Sequence, residues 1–278
     1  MRLAALTMVY NEPVWAGVWA AFYSRQVGAG NCFLLDHGSD DGSTEGLEVH
    51  VERLARSALD ENARAATISA VAAELLRSYD AVVHSDVDEL VLADPSRYRD
   101  LSAFAEAVPD LVVTTAGLDV QHLPGEEPPL DLRRPIGEQR HWVRFSAAMC
   151  KPSFVRRPVR WMPGFHRCDA EMVVRGLYLL HLRYADLGLG LQRLGRTRSQ
   201  SFSSPATNPH QRVSDGEFAG MVASIAQLPR EAMPFVMDQA PLEAWLARVK
   251  AAQEGGEPWL TLAGDRLWRL PELWGKLF

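Results

Sequence analysis

The chain has 278 residues, 47% hydrophobic and 23% charged, which is enough for one large α/β domain or two smaller ones with a sizeable core. The formal net charge of −6 argues against nonspecific binding of nucleic acid, because that requires a basic surface. Its three cysteines, Cys32, Cys150 and Cys168, are odd in number and widely spaced, a pattern that indicates a reducing, cytoplasmic environment and no zinc site.

Strands and helices alternate through the first 118 residues. Leu3 to Tyr10 is predicted as a strand. Residues 11–13 (NEP) end this apolar segment far short of the length that spans a membrane. They also have the form of a helix start, with Asn11 as the capping residue. The further elements predicted in this half are a helix that starts at Val14 and ends before Gly28, a strand Cys32 to Leu35, helices at about Thr44 to Ser57 and Ala63 to Arg77, a strand Ala81 to His84, a helix Leu101 to Ala107 and a strand Leu111 to Thr115. Such alternation predicts an α/β fold: a doubly wound, mainly parallel sheet with helices on both faces.

The alternation ends after Gly117. Residues 123–137 are predicted to form a loop, Trp142 to Phe154 a strand or hairpin, and Met172 to Leu182 another strand. A polar loop from Ser199 to Asn208 is expected to lead into helices that hold the last tryptophans, Trp245, Trp259, Trp268 and Trp274. These tryptophans have two interpretations: stacking on sugars or contact with a membrane interface, and packing in a core or a homodimer interface.

Polar residues that have no packing role follow three of the predicted strands. They are Asn11 and Glu12, the segment 36–41 and the segment 86–89. In an open parallel sheet, ligands bind outside the carboxyl ends of the strands. If the three strands are parallel neighbours, their polar ends converge on one crevice.

The segment VVHSDVDELVLADP, residues 82–95, places Asp86, Asp88 and Glu89 directly after a buried strand. Carboxylates this close together disfavour ionisation unless a positive charge lies between them. In an extended segment Asp86 and Asp88 point the same way, with Cα atoms about 7 Å apart. Magnesium and manganese ions prefer a few carboxylates together with waters and diphosphate oxygens. The pair therefore indicates a metal that arrives with a nucleotide; two acids that cap a loop are the alternative.

The loop DHGSDDG, residues 36–42, also has two interpretations. Its carboxylates and backbone groups can bind a base or a ribose. Alternatively, it is the N-terminal cap of the following helix, with Asp41 or Ser43 as the capping residue, because Ser, Asp and Gly favour such turns.

Taken together, these stretches resemble one family. TMVYNEPVWAGVWAAFYSRQVGAGNCFLLDHGSDDGSTEGL resembles the opening of glycosyltransferase family 2 and its relatives with a GT-A fold, whose members pair an xNE strand end with a DxGSxD loop, here Asp36, Gly38, Ser39 and Asp41. SDVDEL resembles the family's DxD metal motif in the DVDEF form of a bacterial subgroup, and KPSFVRRP (151–158) and HLRY (181–184) match later motifs. The resemblance covers roughly residues 3–200; His37 stands where many members have Asp or Asn.

The resemblance implies a GT-A fold and a metal-dependent, inverting glycosyltransferase (EC 2.4 type). Its donor is expected to be a nucleoside diphosphate sugar, most simply a UDP sugar with GDP or dTDP as alternatives, and its acceptor a hydroxyl of a glycan, polysaccharide or lipid-linked precursor. Mn2+ or Mg2+ offsets charge on the leaving diphosphate. Asp88 is expected to bind the metal, Asp86 to reach ribose or metal, and His181 to complete the metal sphere; a partly buried strand histidine is the alternative for His181.

The resemblance also implies a donor-binding set and a domain organisation. The residues expected to bind the donor are Asn11, Glu12, Asp36, His37, Gly38, Ser39, Asp41, Asp86, Arg193 and Arg196. Residues 1–118 are expected to bind the nucleotide sugar, 119–200 to complete the metal site and bind the acceptor within the same domain, and 201–278 to form a helical C-terminal extension.

Inversion requires a general base near the acceptor hydroxyl, usually Asp or Glu. Asp169 and Glu171, before the strand that leads to His181, are two candidates, and Asp119 is the third; for each, a solvated surface acid is the alternative. The basic segment LQRLGRTRSQS, with Arg193 and Arg196, is either a flexible loop that closes over the diphosphate or a solvated helix face.

Two other functions compete with this interpretation. A nucleotidyltransferase can share the sheet and a metal–carboxylate site, but it normally has a glycine-rich, basic loop after the first strand, which YNEPVW lacks. A non-catalytic nucleotide-sugar-binding protein belongs to a different class, which hydrolysis of the nucleotide sugar would separate from an enzyme. The expected location is the cytoplasm, with peripheral contact at the inner face of the membrane and a homodimer left open.

Overall fold

The computed structural model describes residues 1–204 and 211–278. Part of the predicted polar loop, residues 205–208, lies outside the described residues. The strands are β1 (Leu3–Val9), β2 (Cys32–Asp36), β3 (His50–Arg53), β4 (Ala81–His84), β5 (Glu89–Ala93), β6 (Val112–Gln121), β7 (Trp142–Phe145), β8 (Phe154–Val155), β9 (Val174–His181), β10 (Arg230–Pro234) and β11 (Leu267–Arg269). The helices are α1 (Trp15–Val27), α2 (Glu61–Leu75), α3 (Leu101–Ala107), α4 (Leu187–Ser199), α5 (Asp215–Ala226) and α6 (Ala240–Gly255).

The strands of the described residues form one sheet with a parallel half and a mixed half. The parallel half has the order β3-β2-β1-β4. The two-residue strand β8 pairs antiparallel with both β4 and β6, so β6 runs in the same direction as β4. Strand β9 then pairs parallel with β6, while β5 pairs antiparallel with β9. Strand β7 pairs antiparallel with β6 and β11, which joins the C-terminal strands to the sheet.

Helices cover both faces of the parallel half. Along β1, alternate side chains enter different clusters: Leu3, Ala5 and Val9 pack with α1 and α3, whereas Leu6 and Met8 pack with α2 on the other face. Every residue of β1 is buried, as a strand covered on both faces requires. The predicted α/β class, with a large central sheet flanked by helices, is therefore confirmed.

One predicted helix of the first half is wrong. The segment from Thr44 to Ser57 contains the edge strand β3, which pairs parallel with β2 from Phe33–His50 to Asp36–Arg53. All four β3 side chains are exposed, so no buried apolar stripe holds these residues as a helix, and hydrogen bonds to the free edge of β2 satisfy their backbone groups instead. The expected cap is also absent: α1 starts at Trp15 without a side-chain cap, so Asn11 does not have that role.

Later elements depart from prediction in extent and kind. β6 runs on to Gln121, and β5, directly after the acidic cluster, was not predicted at all. β7 and β8 are not a hairpin, since each pairs with other strands. The basic segment that was a candidate flexible loop is helix α4.

The C-terminal tryptophans lie mainly outside helices. Trp245 lies in α6, but Trp268 lies in β11, Trp274 in a single 3-10 turn, and Trp259 in an irregular segment after α6. Trp259, Trp268 and Trp274 are buried in the main core, which favours packing over sugar stacking or membrane contact. No helix among the described residues combines the length and apolar character that a membrane crossing needs.

Candidate active site

The polar strand ends meet at one edge of the sheet. β1, β2 and β4 are parallel neighbours, so the residues that follow them lie on the same edge: Glu12, the loop that starts at Asp36, and Asp88. β6 and β9 run in the same direction and bring Asp119 and His181 to this edge as a register pair. The convergence inferred from the sequence is therefore observed.

Asp88 is a buried carboxylate of this edge that faces two cationic side chains. It is 3% exposed; Arg193 Nη1 donates to its Oδ2, and His181 Nε2 lies 3.4 Å from the same oxygen. Its own carbonyl accepts from Leu182 N at 2.8 Å, which ties the turn after β4 to the end of β9. Burial alone raises the pKa of Asp88, but Arg193 and His181 outweigh burial and hold that pKa well below its usual range.

His181 is held between two carboxylates. Its Nδ1 lies 2.8 Å from Asp119 Oδ1, while its Nε2 faces Asp88. Burial lowers the pKa of His181, but the hydrogen bonds to Asp119 and Asp88 outweigh burial and raise it to about 9. Asp119 is 3% exposed and already bonded to the imidazole, so its position suits orientation of His181 rather than contact with an acceptor.

Asp86 and Glu89 belong to a separate buried network with two cations. Lys151 Nζ lies 2.8 Å from Asp86 Oδ2 and 2.6 Å from Glu89 Oε1, and Arg64 pairs with the other oxygen of Asp86. Burial would raise the pKa of Asp86, but the charges of Arg64 and Lys151 hold it well below its usual range. Burial raises the pKa of Glu89 even with Lys151 beside it. The repulsion noted in the sequence is thus offset here by the protein's own cations.

Glu12 connects the end of β1 to helix α4. Arg193 Nε donates to Glu12 Oε1 at 2.6 Å, and Arg196 Nη2 lies 3.9 Å from Oε2. Oε2 is buried and has no hydrogen-bond partner within residues 1–204 and 211–278. Burial is the main reason that the pKa of Glu12 is raised. One acceptor atom of this edge is therefore left unsatisfied beside the Asp88–His181 pair.

The loop after β2 is held mainly by its own contacts. Asp36 accepts from Ser39 N at 2.7 Å with Oδ1, and from Thr44 Oγ1 and Arg53 Nη1 with Oδ2, at 2.9 and 3.2 Å. The Ser39 hydroxyl in turn accepts from Asn11 N at 3.0 Å. Asp36 and Ser39 thus shape the loop and link it to the end of β1. No helix follows the loop, so the proposed cap role of Asp41 and Ser43 is wrong.

Next to this loop lies a cavity of about 270 Å³. His37 is in its wall, with Nε2 3.0 Å from Ser57 Oγ and Nδ1 3.1 Å from Arg56 Nη1. Gly38 has φ +76, and a Cβ there would lie 2.8 Å from the Arg56 Cβ, so the turn requires glycine. Arg64, which pairs with Asp86, also lines the cavity, so the cavity adjoins the acidic segment.

The donor atoms at this edge fit a divalent cation only in part. No group of three or more His, Cys, Asp and Glu side chains within 1–204 and 211–278 is placed to hold a metal. Asp88 and His181 are a carboxylate and an imidazole that face each other, with Asp119 behind the imidazole as in many metal sites. Two such ligands suit Mn2+ or Mg2+ whose remaining ligands are diphosphate and water. Asp86 does not fit, because Arg64 and Lys151 engage both of its oxygens.

Asp169 and Glu171 lie away from this cluster. They precede β9, whose other end carries His181, and seven residue steps of strand between Val174 and His181 span roughly 20 Å. Both line a cavity of about 390 Å³ whose wall includes His166, Pro152 and residues of α6. Asp169 accepts from Arg160 N at 2.9 Å, and this backbone hydrogen bond is the main reason that its pKa is lowered. Among the described residues, Asp169 forms its hydrogen bonds and ion pair with Arg160, and neither Asp169 nor Glu171 is linked to Asp86 or Asp88.

Two functional contacts were missed from the sequence. Lys151 and Arg64 were not expected to neutralise the acidic segment, although Lys151 opens the KPSFVRRP stretch. The only local signal for Lys151 is a lysine after the apolar residues AAMC, where a solvated side chain is out of place. Arg64 gives no such signal, because its helix brings it to Asp86 from 22 residues away.

Comparisons with known proteins identify no family. No family model and no curated protein matches this chain. Among solved structures, it is similar to a mannosyltransferase, PcManGT from Pyrobaculum calidifontis in complex with GDP-Man and Mn2+, with 12% identity, a TM-score of 0.34, and coverage of 91% of this chain and 80% of that one. It is also similar to a mannose-1-phosphate geranyltransferase from Thermus thermophilus, with 13% identity, a TM-score of 0.30, and coverage of 79% of this chain and 68% of that one.

Proposed function

We propose that the chain is a metal-dependent, inverting glycosyltransferase that moves a sugar from a nucleoside diphosphate to a hydroxyl acceptor. The observation that carries the proposal is the meeting of Asp88, His181 and Glu12 at the edge where the family resemblance locates the donor. Three segments far apart in the sequence place their ionisable side chains in one buried cluster there. Perturbed, convergent charges at the carboxyl edge of an α/β sheet are typical of a site that binds a charged ligand.

The donor's base and ribose are proposed to enter the cavity beside His37. Its volume of about 270 Å³ suits one nucleoside, and Arg64 joins its wall to the acidic segment. Asp36, Ser39 and Asn11 support that wall through their hydrogen bonds to one another. Their role in donor binding is therefore to shape the loop, with His37 and Gly38 nearer the base.

The diphosphate is proposed to lie between Asp88 and α4. Asp88 and His181 would hold Mn2+ or Mg2+, and Asp119 keeps the imidazole in place through Nδ1. When bound, the metal supplies positive charge that stabilises the leaving diphosphate. Arg193 and Arg196 on α4 supply guanidinium groups at the same edge, and such groups match phosphate oxygens well.

The acceptor is proposed to enter the cavity of about 390 Å³ beside Pro152. Pro152 follows Lys151, whose Nζ contacts Asp86, so this cavity adjoins the donor side through one short segment. Of the two predicted acids in its wall, Asp169 is held by Arg160, and its lowered pKa makes it a weak base. Glu171 forms no hydrogen bond or ion pair among the described residues, but roughly 20 Å of strand separates it from His181, so it is proposed to contact the bound acceptor rather than to take the proton at the reacting centre.

We expect Glu171→Gln to change hydrolysis of the sugar nucleotide, with water as acceptor, less than tenfold, because a general base must lie within hydrogen-bond reach of the attacking oxygen and roughly 20 Å of strand separates Glu171 from His181. Asp169→Asn, the matched control, should behave in the same way. Rates with a panel of UDP, GDP and dTDP sugars measure both. A loss of roughly 100-fold in one variant alone would identify that residue as the general base.

The proposed function as a whole is tested by ligand-dependent stability. With Mn2+ and the correct nucleoside diphosphate at 100 times its Kd, the melting temperature should rise by roughly 5–10 °C. Chelation with EDTA should abolish this rise. Release of free sugar from the sugar nucleotide, measured after binding, distinguishes a transferase from a protein that only binds the sugar nucleotide. If neither UDP, GDP nor dTDP shifts the melting temperature with Mn2+, the proposal is wrong.

A further inference from the structure

The feature that the proposed function leaves unexplained is the position of Arg193. Its guanidinium lies between two buried carboxylates, with Nε 2.6 Å from Glu12 Oε1 and Nη1 bonded to Asp88 Oδ2. Glu12 is 7% exposed and Asp88 3% exposed, so this positive charge lies inside the anionic part of the site. We propose that the Arg193 guanidinium occupies the cation site in the metal-free protein and must leave Asp88 before a divalent metal binds; this inference rests on the proposed function.

The contacts of Asp88 show why Arg193 opposes a metal at this carboxylate. Arg193 and His181 both approach the same oxygen, Oδ2, so the atom that would face a metal shared with His181 is the one that Arg193 engages. A divalent cation bound to that oxygen at about 2.0–2.1 Å would lie against the positive guanidinium in a buried setting, where like charges repel strongly. Metal binding at Asp88 and His181 therefore competes with Arg193.

Unsatisfied groups around Arg193 indicate a second arrangement of this site. In the part of the chain that the structure describes, neither the buried Glu12 Oε2 nor the buried Arg196 Nε has a hydrogen-bond partner. Arg196 Nη2 lies 3.9 Å from Glu12 Oε2, close enough to take over Glu12 when Arg193 leaves. Glu12 Oε2 is thus a free hydrogen-bond acceptor and Arg196 Nε a free donor, at the place where the metal cation and the diphosphate would bind together.

The released guanidinium has an evident new partner in the diphosphate. Arg193 lies on α4, whose first turn is fixed by Asp186, which caps Leu189 N at 2.9 Å and pairs with the buried Arg140. With the helix anchored, only the arginine side chain needs to turn. Diphosphate oxygens offer it the paired acceptors that Glu12 and Asp88 offer in the metal-free protein. Metal without nucleotide should then bind poorly, and metal with nucleotide well.

Arg193→Gln tests the inference by calorimetric titration of the full-length protein with Mn2+ alone. Loss of a charged hydrogen bond to Asp88 should tighten Mn2+ binding in the absence of nucleotide by roughly 10- to 100-fold. The same variant should bind the nucleoside diphosphate with Mn2+ more weakly than the wild type. Arg198→Gln, which removes a charge from the last turn of the same helix, where Arg198 pairs with Asp215 and not with Glu12 or Asp88, should leave the affinity for Mn2+ alone within a few-fold.

The outcomes separate this inference from the proposed function. If Arg193→Gln binds Mn2+ no tighter than the wild type, Arg193 is not an occupant of the cation site, even when nucleotide-dependent metal binding is normal. If wild type and variant both fail to bind Mn2+ with any nucleoside diphosphate, the proposed function itself is wrong. Should Arg193→Gln not fold, Arg193→Lys keeps the positive charge on a shorter side chain, and its affinity for Mn2+ alone must still exceed that of the wild type.

Discussion

Asp88→Asn should abolish Mn2+-dependent binding of a nucleoside diphosphate and lower the hydrolysis of a sugar nucleotide by at least about 100-fold. Asp88 is the carboxylate that faces His181 Nε2, the nitrogen proposed to hold the metal, and an amide offers a cation no charge. In the variant, the ion pairs left within the described residues are that of Arg193 with Glu12 and that of His181 with Asp119. Calorimetric titration with Mn2+ and nucleotide together, followed by a rate assay, measures both effects.

A matched control for this variant lies on the same segment of chain. Asp94 is also buried, at 4% exposure, and lies 3.6 Å from an arginine, Arg97 Nε, just after β5. Asp94→Asn removes the same charge from a similar environment away from the cluster and should leave metal and nucleotide binding unchanged. If Asp88→Asn retains Mn2+-dependent nucleotide binding equal to that of Asp94→Asn, Asp88 is not a metal ligand.

The parts of the fold that the sequence predicts well are those with local signals. β4 and α3 have the predicted bounds, and β1 ends one residue before the predicted end, because short apolar runs and turn residues delimit these elements. β3 was predicted as helix because an edge strand with four exposed side chains carries no alternation to recognise. β5 was hidden because its apolar residues follow the acidic motif without a turn signal between them.

For the candidate site, the sequence predicted that the polar strand ends converge, but not which side chains pair with their acids. Asp86 and Asp88 appeared equivalent from their spacing, yet one is neutralised by Arg64 and Lys151 and the other faces Arg193 and His181. Lys151 lies 65 residues from Asp86, and Arg193 lies 105 residues from Asp88. Such pairs are set by tertiary packing, so no local pattern distinguishes the two acids.

Lys151→Met should destabilise the protein by about 3–5 kcal/mol, because it leaves Asp86 and Glu89 as buried charges with too few cations. The ammonium group is 4% exposed and contacts both carboxylates, at 2.8 and 2.6 Å. Urea denaturation followed by circular dichroism measures the free energy of unfolding. Lys250→Met is the control: Lys250 is exposed, 3.9 Å from Glu254, and its loss should cost within about 0.5 kcal/mol.

The pH dependence of this loss identifies its cause. Burial already holds the pKa of Glu89 above its unfolded value with Lys151 present, and removal of Lys151 raises it further. A carboxyl group whose pKa is raised by folding contributes stability at low pH, which is lost as the pH rises through the folded pKa. The destabilisation by Lys151→Met should therefore be smaller near pH 5 than near pH 8, and Lys151→Met with Glu89→Gln should regain part of it. A loss that is the same at both pH values would mean that the variant fails through packing rather than through stranded charge.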